Sequence, residues 1–159
     1  MQLTGGQIIA EYLVREGVPY LVGIPGHGII GMLDAFIGKE DKIKILQVRA
    51  ETAAVHLAYG YYHVSGQPLA CFTSIGPGAM NTAIGLATAY VDSVPVLLFI
   101  GDTHTYMVGK GVLQEVERRE DAHNPLVLTP LVKRSWRVTD VRHLPTTLQR
   151  AFNQMMSGR

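Results

Sequence analysis

The chain has 159 residues, 47% of them hydrophobic and 17% charged, with 14 Lys+Arg against 13 Asp+Glu and a formal net charge of +1. That is one domain's worth of chain, with enough apolar surface to offset the entropy of ordering, which excludes a disordered polymer. The near-neutral balance and the lack of a basic patch argue against nucleic acid, and the low charge fraction suggests a surface partly covered by a partner.

Thr4 and Gln7 have the spacing of a capping box, and Ile8, Ile9, Tyr12 and Leu13 recur with helical period, predicting a first helix that stops at Gly17. Pro19–Gly23 reads as a short strand, followed by a Gly-Pro loop and a helix over Ile29–Ile37. Ile43–Val48 is the next strand, Ala50–Val64 an Ala-rich helix ended by Gly66, and Leu69–Ser74 a buried strand. After the loop Gly76-Pro77-Gly78, a helix is expected over Ala79–Tyr90 and a strand over Val94–Ile100. The chain then turns polar and loop-like to about Asn124. A short helix at Pro125–Leu131, a strand at Lys133–Val138 and a helix at Leu144–Met156 complete the prediction.

Strands alternate with helices and are apolar throughout, which predicts one α/β domain over residues 1–159: three layers, α/β/α, around a mainly parallel sheet covered on both faces. Ligands of such folds sit beyond the carboxyl ends of the strands. The loops to examine are therefore 24–28, 49–52, 75–81 and 101–115.

Several classes fall away early. The longest apolar run, Val94–Ile100, is far short of a membrane span, and Met1-Gln2-Leu3-Thr4 does not open a signal peptide. The single cysteine, Cys71, cannot form an internal disulfide and reads as a buried thiol in a reducing cytoplasm. No His/Cys cluster has zinc spacing, so no metal ligand is expected in this chain.

Gly26-His27-Gly28-Ile29-Ile30-Gly31 matches G-x-G-x-x-G, and Glu51 lies about twenty residues on, where a dinucleotide fold places its ribose acid. This keeps a non-catalytic, flavodoxin-like nucleotide-binding module in view. Against it, Ile24-Pro25 separate the strand from the first glycine, and Glu51 falls at a helix start. There a carboxylate offsets the helix dipole. Beside Ala50, Ala53, Ala54 and Ala58 it can also be desolvated and tuned for proton chemistry.

Ile24-Pro25-Gly26, Arg49-Ala50-Glu51 leading to Ala58-Tyr59-Gly60-Tyr61, Ser65-Gly66, and Gly76-Pro77-Gly78-Ala79-Met80-Asn81 occur in the order found in one family. Asp92-Ser93-Val94-Pro95, Gly101-Asp102, Leu113-Gln114-Glu115 and Lys133–Val138 continue the pattern. Together they resemble the pyrimidine-binding domain of thiamine-diphosphate enzymes, in the branch of the acetolactate synthases and 2-oxo acid decarboxylases. The resemblance implies that Glu51 hydrogen-bonds N1′ of the cofactor's aminopyrimidine and so promotes loss of the thiazolium C2 proton. It implies decarboxylation of a 2-oxo acid, ended by protonation or by joining a second carbonyl. It places Pro25, Gly26, Pro77 and Asn81 against the cofactor. It turns Gly28 and Gln114, with His27, toward the substrate.

Two departures stand out: Ala50 occupies a position where acetolactate-type members usually have His, and His27 one where a small residue is common. His104 is a further candidate near the site. The family's Gly-Asp-Gly motif for diphosphate and Mg²⁺ has no counterpart; the only Gly-Asp is Gly101-Asp102-Thr103. The resemblance thus implies half an active site, completed by a diphosphate-binding domain of the same or a partner chain. A cytoplasmic homodimer is expected, or a homotetramer in a full-length enzyme, with the chain as a fragment of that enzyme. The alternative is a natural small subunit of a two-chain decarboxylase of the sulfopyruvate or phosphonopyruvate type.

Overall fold

The computed structural model describes residues 2–116 and 124–158. The expected polar loop before Asn124 is therefore described only to Val116, and His123, to which the sequence assigns no role, lies outside the described residues.

The first helix, α1 (Gly5–Arg15), forms as its start signal predicts: Gln7 N–H donates to Thr4 Oγ1 (3.2 Å) and Thr4 N–H to Gln7 Oε1 (2.9 Å). It buries Ala10 and Leu13. β1 (Tyr20–Gly23) leads to α2 (Ile30–Leu33), then to β2 (Lys44–Gln47) and α3 (Glu51–Ser65). Gly66 closes α3 in the left-handed region (φ +70°), where glycine carries no Cβ penalty. β3 (Leu69–Thr73), α4 (Pro77–Met80), α5 (Ala83–Val91) and β4 (Val96–Ile100) follow. α6 (Asn124–Leu128) and α7 (Leu144–Met156) come last.

The four strands form one all-parallel sheet in the order β2-β1-β3-β4. Consecutive strand residues point to opposite faces. Leu21, Ala70 and Phe72 therefore pack with α1, Met32 and Phe36, while Val22 and Cys71 pack with Ala54, Val55 and Ala58 of α3 and Leu86 of α5. The expected α/β/α layering and parallel sheet are borne out.

Four details differ from expectation. The predicted helix 29–37 is one α-turn that tightens into a 3-10 turn (Asp34–Phe36) as it closes on buried Phe36. The predicted helix 79–90 is two helices, broken at Asn81 and Thr82. There Thr82 Oγ1 donates to the Ala79 carbonyl (2.6 Å), and Asn81 is engaged by α3. Side-chain bonding of this kind competes with the helical ladder. Continuous apolar character also overstates burial at the edges: β3 is buried throughout, but β2 is largely exposed and β4 only half-buried.

The fourth difference is the strand expected at Lys133–Val138, which does not form; the segment is irregular. It is held by its charges instead. Lys133 Nζ donates to the carbonyls of Gly158 (2.6 Å), Ser157 and Gln154 (3.4 Å), and Arg137 pairs with Asp102 (2.9 Å). A cleft of about 800 Å³ is lined by this segment, α7 and β4.

Cys71 is fully buried, and burial pushes its thiol up to about 12. The neutral form therefore persists through the ordinary working range of pH, and reactivity requires exposure. In native protein at pH 8, Cys71 is expected to resist a thiol-specific disulfide reagent and to react stoichiometrically in denaturant. Equal labelling rates in the two conditions would remove β3 from the core.

Candidate functional site

The carboxyl ends of the strands carry the loops singled out from the sequence. β2 leaves the sheet through Ala50, whose extended backbone (φ −149°, ψ 140°) caps α3 without a side-chain bond. Glu51 is the first helical residue and is half-buried. Its Oε2 accepts from Asn81 Nδ2 (3.0 Å), and the neighbouring Thr52 Oγ1 donates to the Asn81 carbonyl. Asn81, at the end of α4, is thus gripped through side chain and backbone by two adjacent residues of α3.

The loop after β3 closes over the same point. Gly76 has φ +64° and ψ −115°, and Pro77 opens α4. Gly78 is buried; a Cβ there would lie 2.7 Å from Thr73 Oγ1 and 3.3 Å from Glu51 Oε1. Its missing side chain keeps the space beside the Glu51 carboxylate open.

The loop after β1 fits between two strand ends. A Cβ on Gly26 would lie 2.5 Å from Ser74 Oγ, and Gly28 abuts Gly101 and Asp102. Pro25 and His27 on this loop are exposed. The G-x-G-x-x-G match opens only a four-residue helix, and Glu51 stands at a helix start rather than at the end of β2, so the dinucleotide geometry is absent.

The segment after β4 returns to the site at Gln114. This residue has φ +64°, and its carbonyl oxygen lies 2.0 Å from where a Cβ of Gly76 would stand. His104 is exposed and stacks on Tyr106 (ring centroids 5.4 Å apart, planes at 10°). Tyr59, Tyr61 and His56, on α3, serve packing and local bonding: Tyr59 donates to Asp92, Tyr61 meets Tyr20 edge-on, and His56 Nδ1 lies 2.9 Å from the Thr52 carbonyl.

The structure therefore brings Glu51, Gly78 and Asn81 into one cluster. Gly26 and Gly28 border it through β3 and β4, and Gln114 through Gly76. Three further residues, to which the sequence assigned no role, stand at or near the site. Thr73 Oγ1 and Ser74 Oγ are buried without a hydrogen-bond partner among the described residues, at the strand end facing Gly78 and Gly26. A buried polar group left unpaired costs about 1–3 kcal/mol. Their signal was present, as two hydroxyls ending an apolar strand just before a glycine-rich loop. The third, Glu115, is buried within the 109–116 loop. Among the described residues no group of three or more His, Cys, Asp or Glu could hold a metal ion, and no helix is long and apolar enough to cross a membrane.

The family model of the thiamine pyrophosphate enzyme N-terminal TPP binding domain matches residues 3–122, and the chain belongs to that family. Over 99% of its length it is homologous to acetolactate synthases. It is 34% identical to the large subunit of Haemophilus influenzae, 33% to the isozyme 3 large subunit of Escherichia coli K12 and 36% to the enzyme of Arthrospira platensis. The chain spans about a quarter of the length of these relatives (26–27%).

Proposed function

We propose that this chain is the pyrimidine-binding half of a thiamine-diphosphate-dependent decarboxylase or carboligase acting on 2-oxo acids, and that Glu51 is the group that activates the cofactor. The observation carrying this reading is the Glu51–Asn81 pair beside the vacant Cβ position of Gly78, flanked by two unpartnered hydroxyls. An aminopyrimidine presents ring nitrogens and an amino group in a flat outline. A half-buried carboxylate, a carboxamide and glycine-lined space suit that shape.

When bound, thiamine diphosphate would supply an acidic C2–H and, through it, the nucleophilic chemistry that decarboxylation of a 2-oxo acid needs. The chain's part is to hold and place protons. Glu51 would share a proton with N1′ of the pyrimidine. Asn81 fixes the Glu51 carboxylate from one oxygen and leaves the other for the ring. Pro25, Gly26 and Pro77 line the cofactor, while Gly28, Gln114 and His27 face the substrate. Diphosphate and Mg²⁺ would belong to a second domain, since the family's Gly-Asp-Gly motif has no counterpart in this sequence beyond Gly101-Asp102-Thr103. Residues 1–159 alone are accordingly expected to be inactive and to bind thiamine diphosphate weakly or not at all. Tight, Mg²⁺-dependent binding in titration calorimetry would overturn this division of labour.

The same reading places the chain in a cytoplasmic homodimer. Ala53, Leu57, Gly60 and Val64 form an exposed stripe along α3, beside exposed Ile84 and Val91 of α5; Val64 is 91% and Val91 72% exposed. Apolar surface of this extent fits a twofold contact. Glu51 starts the same helix, so the contact would bring a partner's cofactor domain to it. The chain is expected to self-associate in sedimentation, and Val64→Glu to shift it to monomer. A monomer at every concentration would count against the contact.

A further inference from the structure

We propose that Glu115 is a positioning residue: its buried carboxylate folds the 109–116 loop and thereby sets Gln114 against the cofactor site. Glu115 is 5% exposed and is the one charged residue among the described ones that is buried. Its Oε1 accepts from Gly109 N–H (2.6 Å), and its Oε2 from Gly111 N–H (2.7 Å) and Val112 N–H (3.1 Å). Gly109 and Gly111 both have positive φ, +78° and +71°, so the main chain curls its donors around the carboxylate. Successive N–H groups arranged in this way form an anion-binding concavity, and here the anion comes from the loop itself. A carboxyl group taken out of water is costly unless its oxygens are satisfied, so this loop shape and the inward-turned Glu115 side chain stabilise each other.

The consequence falls on the preceding residue. With Glu115 turned inward, Gln114 is held at φ +64° and its carbonyl oxygen seats on Gly76, at the point a Cβ would fill. Gly76 begins the turn whose Gly78 faces Glu51 Oε1. The path from Glu115 to the site therefore runs through one exposed side chain, Gln114, and one glycine contact. The hydrogen bonds described for the Glu115 carboxylate go to its own loop. Its effect should reach substrate handling and leave Glu51's proton chemistry alone.

This inference rests on the reading of the site as a thiamine-diphosphate site, and its test separates the two. In the complete enzyme, meaning this chain with its diphosphate-binding domain, Glu115→Gln keeps size and removes one acceptor oxygen and the charge. Amide hydrogen exchange at Gly109, Gly111 and Val112 should accelerate by about tenfold or more, because loss of these bonds lowers the local opening cost. kcat/KM should fall by a similar factor, with exchange of the cofactor's C2 hydrogen within about twofold of wild type. Placed on Gln114→Ala, Glu115→Gln should change kcat/KM by less than about twofold, since both variants then act on one pathway. Gly111→Ala, strained at its positive φ but with open space around the new Cβ, should reproduce the pattern more weakly without altering the carboxylate. Unchanged amide exchange in Glu115→Gln overturns the proposal, whatever the site binds. So does a full additional loss of kcat/KM on the Gln114→Ala background, or a parallel fall in C2 exchange, either of which marks a merely structural role. Failure of the wild-type enzyme to bind thiamine diphosphate, with the amide response intact, would instead overturn the reading of the site and with it the link to catalysis.

Discussion

In the full enzyme, Glu51→Gln is expected to slow exchange of the cofactor's C2 hydrogen by about two to four orders of magnitude, the range spanned by a positioned acid–base group. Each tenfold loss corresponds to about 1.4 kcal/mol of barrier. Glutamine keeps the length of the side chain, and its amide oxygen can still accept from Asn81 Nδ2, which now bonds Glu51 Oε2 at 3.0 Å. What glutamine cannot do is share a proton with the ring. Fold stability should change little. A first-turn carboxylate is worth roughly 0.3–1 kcal/mol through the helix dipole, or a few degrees in melting temperature for a chain of this size. If Glu51 were only a helix-start charge, the pattern would invert: a lowered melting point with near-normal exchange. Measuring both quantities on one variant decides the matter, and the inverted result would remove Glu51 from the active site.

Gly76→Ala is expected to damage both stability and activity. At φ +64° and ψ −115° the residue lies where L side chains are strained, a cost of roughly 1–3 kcal/mol. The added methyl would also stand 2.0 Å from the Gln114 carbonyl oxygen, a backbone atom with no rotamer through which to yield. Either the turn after β3 opens or the 109–116 segment lifts away, and both outcomes disturb the placement of Gln114. The melting temperature should fall by several degrees, and kcat/KM by about tenfold or more, as expected for misplacement by an ångström or so. Gly31→Ala, where φ is not positive and a Cβ meets nothing within 4 Å, is the matched control and should leave both readouts near wild type. Equal behaviour of the two variants would show that the Gly76–Gln114 contact does not shape the site.

Much of this arrangement was legible in the chain, and the parts that were not have identifiable causes. The capping box at Thr4–Gln7 and the glycine closing α3 are local signals, and local structure obeys them. The apolar strands announce a parallel sheet, but apolar character alone cannot separate central β3 from edge strands β2 and β4, because edge position depends on strand order. Lys133–Val138 has the look of a strand, yet its fate depends on ion pairs and carbonyl contacts made with Asp102 and the end of α7, far away in sequence. Glu51 and Asn81 could be nominated separately. Their hydrogen bond could not, since it requires the break after α4, at Asn81 and Thr82, inside a stretch that the sequence reads as one continuous helix. The hydroxyls of Thr73 and Ser74 stand in the sequence at the end of an apolar strand, but that they lack a hydrogen-bond partner among the described residues shows only in three dimensions.

The strand order also governs how the chain can be made. β1 meets β2 in a register linking Leu21 to Ile45, about 25 residues on, but its other neighbour is β3, with Leu21 beside Ala70, about 50 residues on. As the chain leaves the ribosome, β1 and β2 can pair first, and one flank of β1 then waits open until α3 and β3 have been synthesised. The central pairing is therefore the late and slow event of folding, as expected for parallel contacts between distant segments. Glu51, Thr73, Ser74 and Asn81 lie on opposite sides of that event, so the site assembles only when the sheet closes.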